Sequence, residues 1–306
     1  MRGLRLGTRG SPLALAQSRM VCDAISGMHD LPPGSIAIEV IRTTGDRIRD
    51  RPLSEVGGKG LFTKEIDEAL IAGDIDLAVH SAKDMPTVLP RDLVIAAVLP
   101  REDPCDVFIS RQSTMLQALP QGARVGTASL RRQALVRRAR PDLRVEPMRG
   151  NVETRLRKLD AGEVDATLLA LAGLKRLGLH REATAVLPVD EFPPAVGQGI
   201  IAIVARADDA HTNALLHGVN HAETATALAA ERAFLAVLDG SCRTPIAGHA
   251  MVTAGRMTFH GLIAKPDGTS VHECMREGDP ADCSALGTDA GEDLRRRAGP
   301  GFFQGT

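Results

Sequence analysis

Four short segments set chemically useful side chains outside a plain core context. Val79-His-Ser-Ala-Lys-Asp-Met-Pro86 ends an apolar run and then offers His80, Ser81, Lys83 and Asp84 in quick succession. Ligands sit at strand ends of this kind in open α/β sheets. Taken alone, Asp84 also reads as a turn former, and His80 as a core histidine with its ring hydrogen bonds satisfied. Ser129-Leu-Arg-Arg132 caps a helix with Ser129 and puts Arg131 and Arg132 in its first turn. Basic residues there oppose the helix dipole at a cost of roughly 0.3–1 kcal/mol each, which points to an anion nearby. The plain alternative is guanidinium groups bent into solvent and screened. Asp239-Gly-Ser-Cys-Arg-Thr-Pro245 holds Cys242 in a Gly/Ser/Pro loop beside Arg243. Such a thiol is a candidate nucleophile or attachment point, where the ordinary cysteine is a small buried hydrophobe. Gly57-Gly-Lys-Gly60 carries the glycines and lysine of a phosphate loop, but Gly60 follows Lys59 and the full nucleotide-binding pattern is missing. A mobile loop over a cleft is the better reading of that segment.

The charge distribution narrows the chemistry. Net charge is −1 over 306 residues, so no global field selects a nucleic acid or a membrane. Between Arg124 and Lys158, however, ten Arg and one Lys face three acids, a local net of +8. Planar guanidinium groups grip carboxylates and phosphates bidentately, so the stretch fits a polyanionic ligand, with solvated helix faces as the bland alternative. Trp and Tyr are absent and Phe numbers only 7, which removes the stacking platforms of single-stranded nucleic-acid binders. Five Cys, at 22, 105, 242, 274 and 283, show no CxxC spacing and argue against a disulfide framework or a zinc site. No apolar run approaches the ~20 residues of a membrane span and no signal-peptide core is visible, so a cytoplasmic protein is expected.

The elements that must position these residues alternate. Strands are expected at 4–7, 36–42, 76–80 and 93–99, with helices opening at Ser11-Pro12 and covering 61–72. The grammar restarts after Pro100: strands 106–110, 123–126, 143–147 and 164–170 alternate with helices 129–139, 151–161 and 171–177. Such alternation indicates α/β lobes with largely parallel sheets. An internal repeat links the lobes: Arg5-Leu-Gly-Thr with Arg124-Val-Gly-Thr, then Ala72-Gly-Asp-Ile-Asp76 with Ala161-Gly-Glu-Val-Asp165, offset by 119 and 89 residues. In each, a strand ends in Gly-Thr ahead of a helix start, a natural anion site. The segment 195–199 reads as a return crossing able to act as a hinge, followed by a strand at 200–205. A helix at 221–238, strands at 247–253, 257–264 and 269–276 and a helix near 281–297 make a small α+β third domain.

Taken together, the segments resemble the porphobilinogen deaminase family, from Leu4 to about Asp293. The likeness rests on Thr8-Arg9, Ser11-Pro-Leu-Ala-Leu15, Val56-Gly-Gly-Lys-Gly-Leu-Phe62, Ala78-Val-His-Ser-Ala-Lys-Asp84, Arg101-Glu-Asp-Pro104, Gly126-Thr127 with Ser129-Leu-Arg-Arg132, Arg149-Gly-Asn151, Leu171-Ala-Gly-Leu-Lys-Arg176, Pro194-Ala-Val-Gly-Gln-Gly199 and the Cys242 loop. Each is weak alone; ten in order are specific.

The resemblance implies an α/β fold: two lobes like type II periplasmic binding proteins around a cleft, plus a small α+β C-terminal domain carrying the cysteine. It divides the chain into lobe 1 (1–99 with 200–217), lobe 2 (100–199) and the C-terminal domain (218–306). It implies head-to-tail condensation of porphobilinogen to hydroxymethylbilane with release of ammonia, on a dipyrromethane cofactor held by a thioether to Cys242, with no metal. Asp84 matches the catalytic carboxylate. Ser81, Lys83, Asp84, Thr127, Ser129, Arg131, Arg132 and Arg155 are implied to hold the cofactor. Arg9, Ser11, Gln17, Arg149, Arg155 and Arg176 are implied to hold the substrate, and Lys59 and Phe62 to belong to a mobile loop. A monomer acting on a small molecule, with no nucleic-acid or membrane partner, is expected. Ser54-Glu55 departs from a family pattern that often has Lys before Val-Gly-Gly, so no basic role passes to Glu55; Ser241 replaces a frequent Gly. The competing readings are a non-catalytic anion-binding protein of the same two-lobe build, which leaves Cys242 unexplained, and a nucleic-acid binder, which meets near-zero net charge.

Overall fold

A computed structural model describes residues 3–47, 60–238 and 244–303 of the chain. Lys59, Ser54, Glu55, Ser241 and Cys242 lie outside the described residues. The first elements are β1 (Leu4–Thr8), α1 (Pro12–His29), β2 (Ile36–Val40), the one-turn α2 (Thr44–Arg47), α3 (Lys64–Ala72), β3 (Leu77–Ser81) and β4 (Leu93–Val98). Next come β5 (Asp106–Ser110), β6 (Arg124–Gly126), α4 (Leu130–Ala139), β7 (Arg144–Glu146), α5 (Val152–Asp160), β8 (Ala166–Ala170), α6 (Leu171–Arg176) and β9 (Ala185–Leu187). The chain closes with β10 (Ile201–Arg206), α7 (Ala210–His217), α8 (Ala222–Val237), β11 (Ile246–Thr253), β12 (Arg256–Ala264), β13 (Val271–Gly278) and α9 (Cys283–Ala298).

Of the described residues, 3–47, 60–102 and 199–225 form one compact unit, and 103–198 with 226–303 form a second. The first unit is built on a sheet of order β2-β1-β3-β10-β4 and the second on a sheet of order β7-β6-β8-β5-β9. The wiring is the same. β1 and β6 each run parallel to both neighbours, while β10 and β5 run antiparallel to theirs. One antiparallel strand per sheet qualifies the largely parallel expectation. The second unit also carries the antiparallel meander β11-β12-β13, backed by α9, which is the small α+β part expected.

The sequence repeat has a physical basis. Arg5 clamps Asp76: its backbone N–H donates to Oδ2 at 2.8 Å, its Nε to the same oxygen at 3.2 Å, and its Nη2 to the Gly73 carbonyl at 2.6 Å. Arg124 repeats this on Asp165, with its N–H to Oδ2 at 2.7 Å, Nε at 3.4 Å and Nη2 to the Gly162 carbonyl at 2.9 Å. Each clamp ties the start of the first strand to the turn ahead of the third. The repeat therefore preserves a strand-pairing device. Burial works against charge on Asp76, but the Arg5 hydrogen bonds outweigh it and hold the carboxyl below its ordinary range.

The cores are aliphatic, as the composition requires. Leu6, Ile25, Leu77, Ile201 and Ile203 fill the first unit. Phe108, Val125, Leu135 and Leu168 pack with Ala247 and Leu262, so the second sheet and the meander share a core. Helices α8 and α9 approach closely enough that a Cβ on Gly287 would stand 2.0 Å from the Ala230 carbonyl oxygen, so only glycine fits. Among the described residues no helix is long and apolar enough to cross a membrane. Three elements escape the sequence patterning: the one-turn α2, β9, a three-residue edge strand, and α7, whose only buried residues are Thr212 and Leu216. The helix expected from Leu61 starts at Lys64 instead, because Gly60 takes a left-handed φ of 78° and its carbonyl receives the Thr63 and Lys64 N–H groups in a turn.

Candidate active site

In the first unit the site grows from two strand ends. β1 finishes at Thr8, and Ser11, in extended conformation, caps α1 with its Oγ accepting from the Ala14 N–H at 3.3 Å. Pro12 occupies the first helical position, where its missing donor costs nothing. Further along α1 the buried Gln17 donates from Nε2 to Ser81 Oγ at 2.8 Å, fixing the last residue of β3. A single 3-10 turn, Ala82–Asp84, then carries Lys83 and Asp84 off the strand end. Arg9, Ser11, Gln17, Phe62, Ser81 and Asp84 line one pocket, together with His80. The structure thus brings five of the implied ligand-holding residues of this unit together with Phe62.

The electrostatics of that pocket are defined by neighbours. Arg9 donates from Nε to Asp46 Oδ2 at 3.2 Å, pairs with Oδ1 through Nη2, and lies 4.2 Å over the Phe62 ring. Burial disfavours charge on Asp46, but the Arg9 bonds prevail and its carboxyl stays below the ordinary range. His80 corrects an expectation: it is buried, yet its Nε2 has no hydrogen-bond partner among the described residues. Burial first, and the Arg9 charge second, push its imidazole down to about 4, so it is neutral at physiological pH.

In the second unit the corresponding strand end is built differently. Thr127 follows β6 and its Oγ1 accepts from the Ser129 N–H at 3.2 Å; Ser129 Oγ in turn accepts from the Arg132 N–H at 3.3 Å. Arg131 and Arg132 are only 4% and 5% exposed, which rules out side chains bent into solvent. Both guanidinium groups converge on Asp106, the first residue of β5. Arg131 Nη2 donates to Oδ2 and Arg132 Nη2 to Oδ1, each at 2.7 Å. Their Nη1 atoms donate to the carbonyls of Pro193 at 2.7 Å and Leu168 at 3.0 Å. Gln198 Nε2 adds a bond to Asp106 Oδ1 at 2.9 Å. Asp106 is fully buried; desolvation opposes its charge, but the two guanidinium charges override it and keep its pKa far below the usual range. Two cations against one anion leave a positive surplus, and the buried Nε atoms of both arginines have no hydrogen-bond partner among the described residues.

The nearby anion that the first-turn arginines pointed to is therefore, in the first place, a protein carboxylate. Asp106 is the residue that sequence reasoning missed. Its signal was a lone acid heading the apolar run Val107-Phe-Ile109, a position where an unpaired charge is not tolerated. Arg149 and Arg155 flank the start of α5, which Asn151 caps by accepting the Thr154 N–H at 2.9 Å, and Arg155 Nε donates to the Gly150 carbonyl at 3.0 Å. Arg176 ends α6, half-buried.

Residues 4–214 match the family model described as porphobilinogen deaminase, dipyromethane cofactor binding domain, and residues 225–296 match porphobilinogen deaminase, C-terminal domain. Proteins named porphobilinogen deaminase from Nitrobacter winogradskyi and Nitrobacter hamburgensis are each 61% identical over 298 residues, covering 97% of this chain and 94% of theirs. Among solved structures, a putative methionine-binding lipoprotein from Bacillus subtilis aligns at 15% identity with a TM-score of 0.45, over 73% of this chain and 92% of that one.

Proposed function

The chain belongs to the porphobilinogen deaminase family, and from this we infer that it is a hydroxymethylbilane synthase, joining four porphobilinogen molecules head-to-tail with loss of ammonia in tetrapyrrole biosynthesis. The observation that carries the reading is 61% identity sustained over 97% of the chain. The residues suit the substrate, whose pyrrole ring carries two carboxylates. A dipyrromethane cofactor belongs to the family, and the start of α4 fits such a group: it offers a surplus positive charge and two buried Nε donors without partners among the described residues. When bound, the dipyrromethane supplies the primer onto which pyrrole units are added.

The roles of this chain's residues follow as one proposal. Cys242 anchors the primer by a thioether. Ser81, Lys83, Asp84, Thr127, Ser129, Arg131, Arg132 and Arg155 bind it, while Arg9, Ser11, Gln17, Arg149, Arg155 and Arg176 bind the incoming substrate. Gln17 acts by locking Ser81, and Arg9 is held in place by Asp46 and Phe62. Asp84, on the pocket wall, would stabilise the positive charge left on the substrate when ammonia departs, since a fixed carboxylate acts most where that charge develops. His80 stays neutral beside Arg9, so it adds no like charge to the pocket. The same reading takes residues 1–99 with 200–217, 100–199 and 218–306 as the domains, and the protein as a cytoplasmic monomer.

Turnover of porphobilinogen tests the activity. Ammonia should appear in a one-to-one ratio with substrate consumed, and hydroxymethylbilane at a quarter of it. Binding of porphobilinogen without ammonia release would favour the anion-binding alternative instead.

A further inference from the structure

Asp106 is given no role by the reading above, yet it is the centre of a buried charge cluster. It accepts from Arg131, Arg132 and Gln198 while wholly removed from solvent. The internal repeat shows what this cluster replaces. Ser11 and Ser129 cap equivalent helices, so Leu13 and Ala14 of α1 correspond to Arg131 and Arg132 of α4. β10 pairs Ile201 with Ser81 as β5 pairs Asp106 with Ala170, so Ile201 corresponds to Asp106. In the first unit those places hold apolar side chains, and Leu13 and Ala14 line an open pocket. In the second unit an acid and two bases fill them.

We propose that Asp106 is a positioning residue: by taking one Nη2 from each of Arg131 and Arg132 it fixes the two guanidinium groups as a single fork, whose unspent Nε donors and surplus charge hold a carboxylate of the dipyrromethane. This rests on the assignment of Arg131 and Arg132 to that group. A guanidinium is bidentate only in one orientation, so an arginine released from Asp106 keeps its charge and loses its aim. The carbonyls of Pro193 and Leu168 fix only one Nη each; Asp106 supplies the second point that stops rotation.

Position and charge make opposite predictions, which makes the idea testable. Asp106→Asn raises the cluster from one surplus positive charge to two. If charge alone governed loading, the variant would take up the primer more readily. If Asp106 aims the fork, loading falls. The experiment is intact mass spectrometry on the folded, monodisperse fraction of each protein, with the rate of primer acquisition followed after adding porphobilinogen to protein at the bare sequence mass. We expect Asp106→Asn to load at least about tenfold more slowly than wild type, the factor lost with one well-made charge-assisted bond. Two bare guanidinium groups in one site cost stability, so a second pair of variants covers the case in which Asp106→Asn does not fold. In Arg131→Gln, Asp106 still aims Arg132; in Arg131→Gln with Asp106→Asn, Arg132 keeps its charge but not its aim. The double variant should load more slowly than the single one despite its more positive cluster. Equal or faster loading in either comparison overturns the proposal. A wild-type protein that acquires no mass from porphobilinogen overturns the parent assignment instead.

Discussion

Asp84 stands on the turn that follows β3, on the wall of the pocket that Arg9 and Gln17 share. If its carboxylate stabilises developing positive charge, Asp84→Asn removes that charge at constant size and should slow single-turnover condensation by about 10²–10³. Asp84→Glu keeps the charge and displaces it by one methylene, so it should retain more activity. Near-wild-type rates in Asp84→Asn, with Asp84→Glu slower, would return Asp84 to the role of turn former. His80 yields a pH prediction. Its folded value of about 4 lies below the ordinary 6.5, so the unfolded chain binds its proton first as pH falls. The stability associated with neutral His80 is complete above pH 6.5 and is lost as pH falls toward 4, by at most ~1.4 kcal/mol per pH unit. Asp67, raised to about 6 chiefly by burial, acts in the opposite direction: the folded state holds the extra proton between 3.8 and 6. The His80 contribution is therefore read as a difference. Unfolding free energy of wild type should fall more steeply between pH 6.5 and 5 than that of His80→Gln, and parallel curves would show that His80 titrates alike in both states.

At the scale of elements, Glu231 on α8 fastens the segment leading into β10 to the meander. Its buried carboxylate accepts from the Gly197 N–H at 2.6 Å and from the Ala250 N–H at 2.8 Å. Glu231→Gln turns one acceptor into a donor facing an N–H group, and should lower the free energy of unfolding by about 1–3 kcal/mol. An unchanged denaturation midpoint would mean the contact is dispensable. Much of this level was legible from local chemistry. Ser11 and Ser129 announced their helices because capping depends on neighbours three residues away, and the Gly-Thr of each repeat marked where a strand gives way to a helix. Asp106 was not legible, because its partners come from a helix that begins more than twenty residues later and no periodic pattern links a lone acid to them. The same limit hid β9, whose run Ala185-Val-Leu187 is too short to show a strand period and is held by pairing to β5. It also inverted the reading of His80: burial follows from an apolar strand, but whether a ring nitrogen finds a partner depends on side chains from other elements.

At the scale of the molecule, one wiring diagram appears twice with two different fillings. The Arg5–Asp76 and Arg124–Asp165 clamps preserve the common frame, while the strand ends diverge into a lined pocket in one unit and a buried charge cluster in the other. The family to which the chain belongs carries a dipyrromethane, a permanent primer. The central claim is that the chain carries such a primer, and intact mass tests it most directly. The account predicts a purified, active protein heavier than its sequence by one dipyrromethane unit, with the increment absent from Cys242→Ala. An active protein at the bare sequence mass would contradict it.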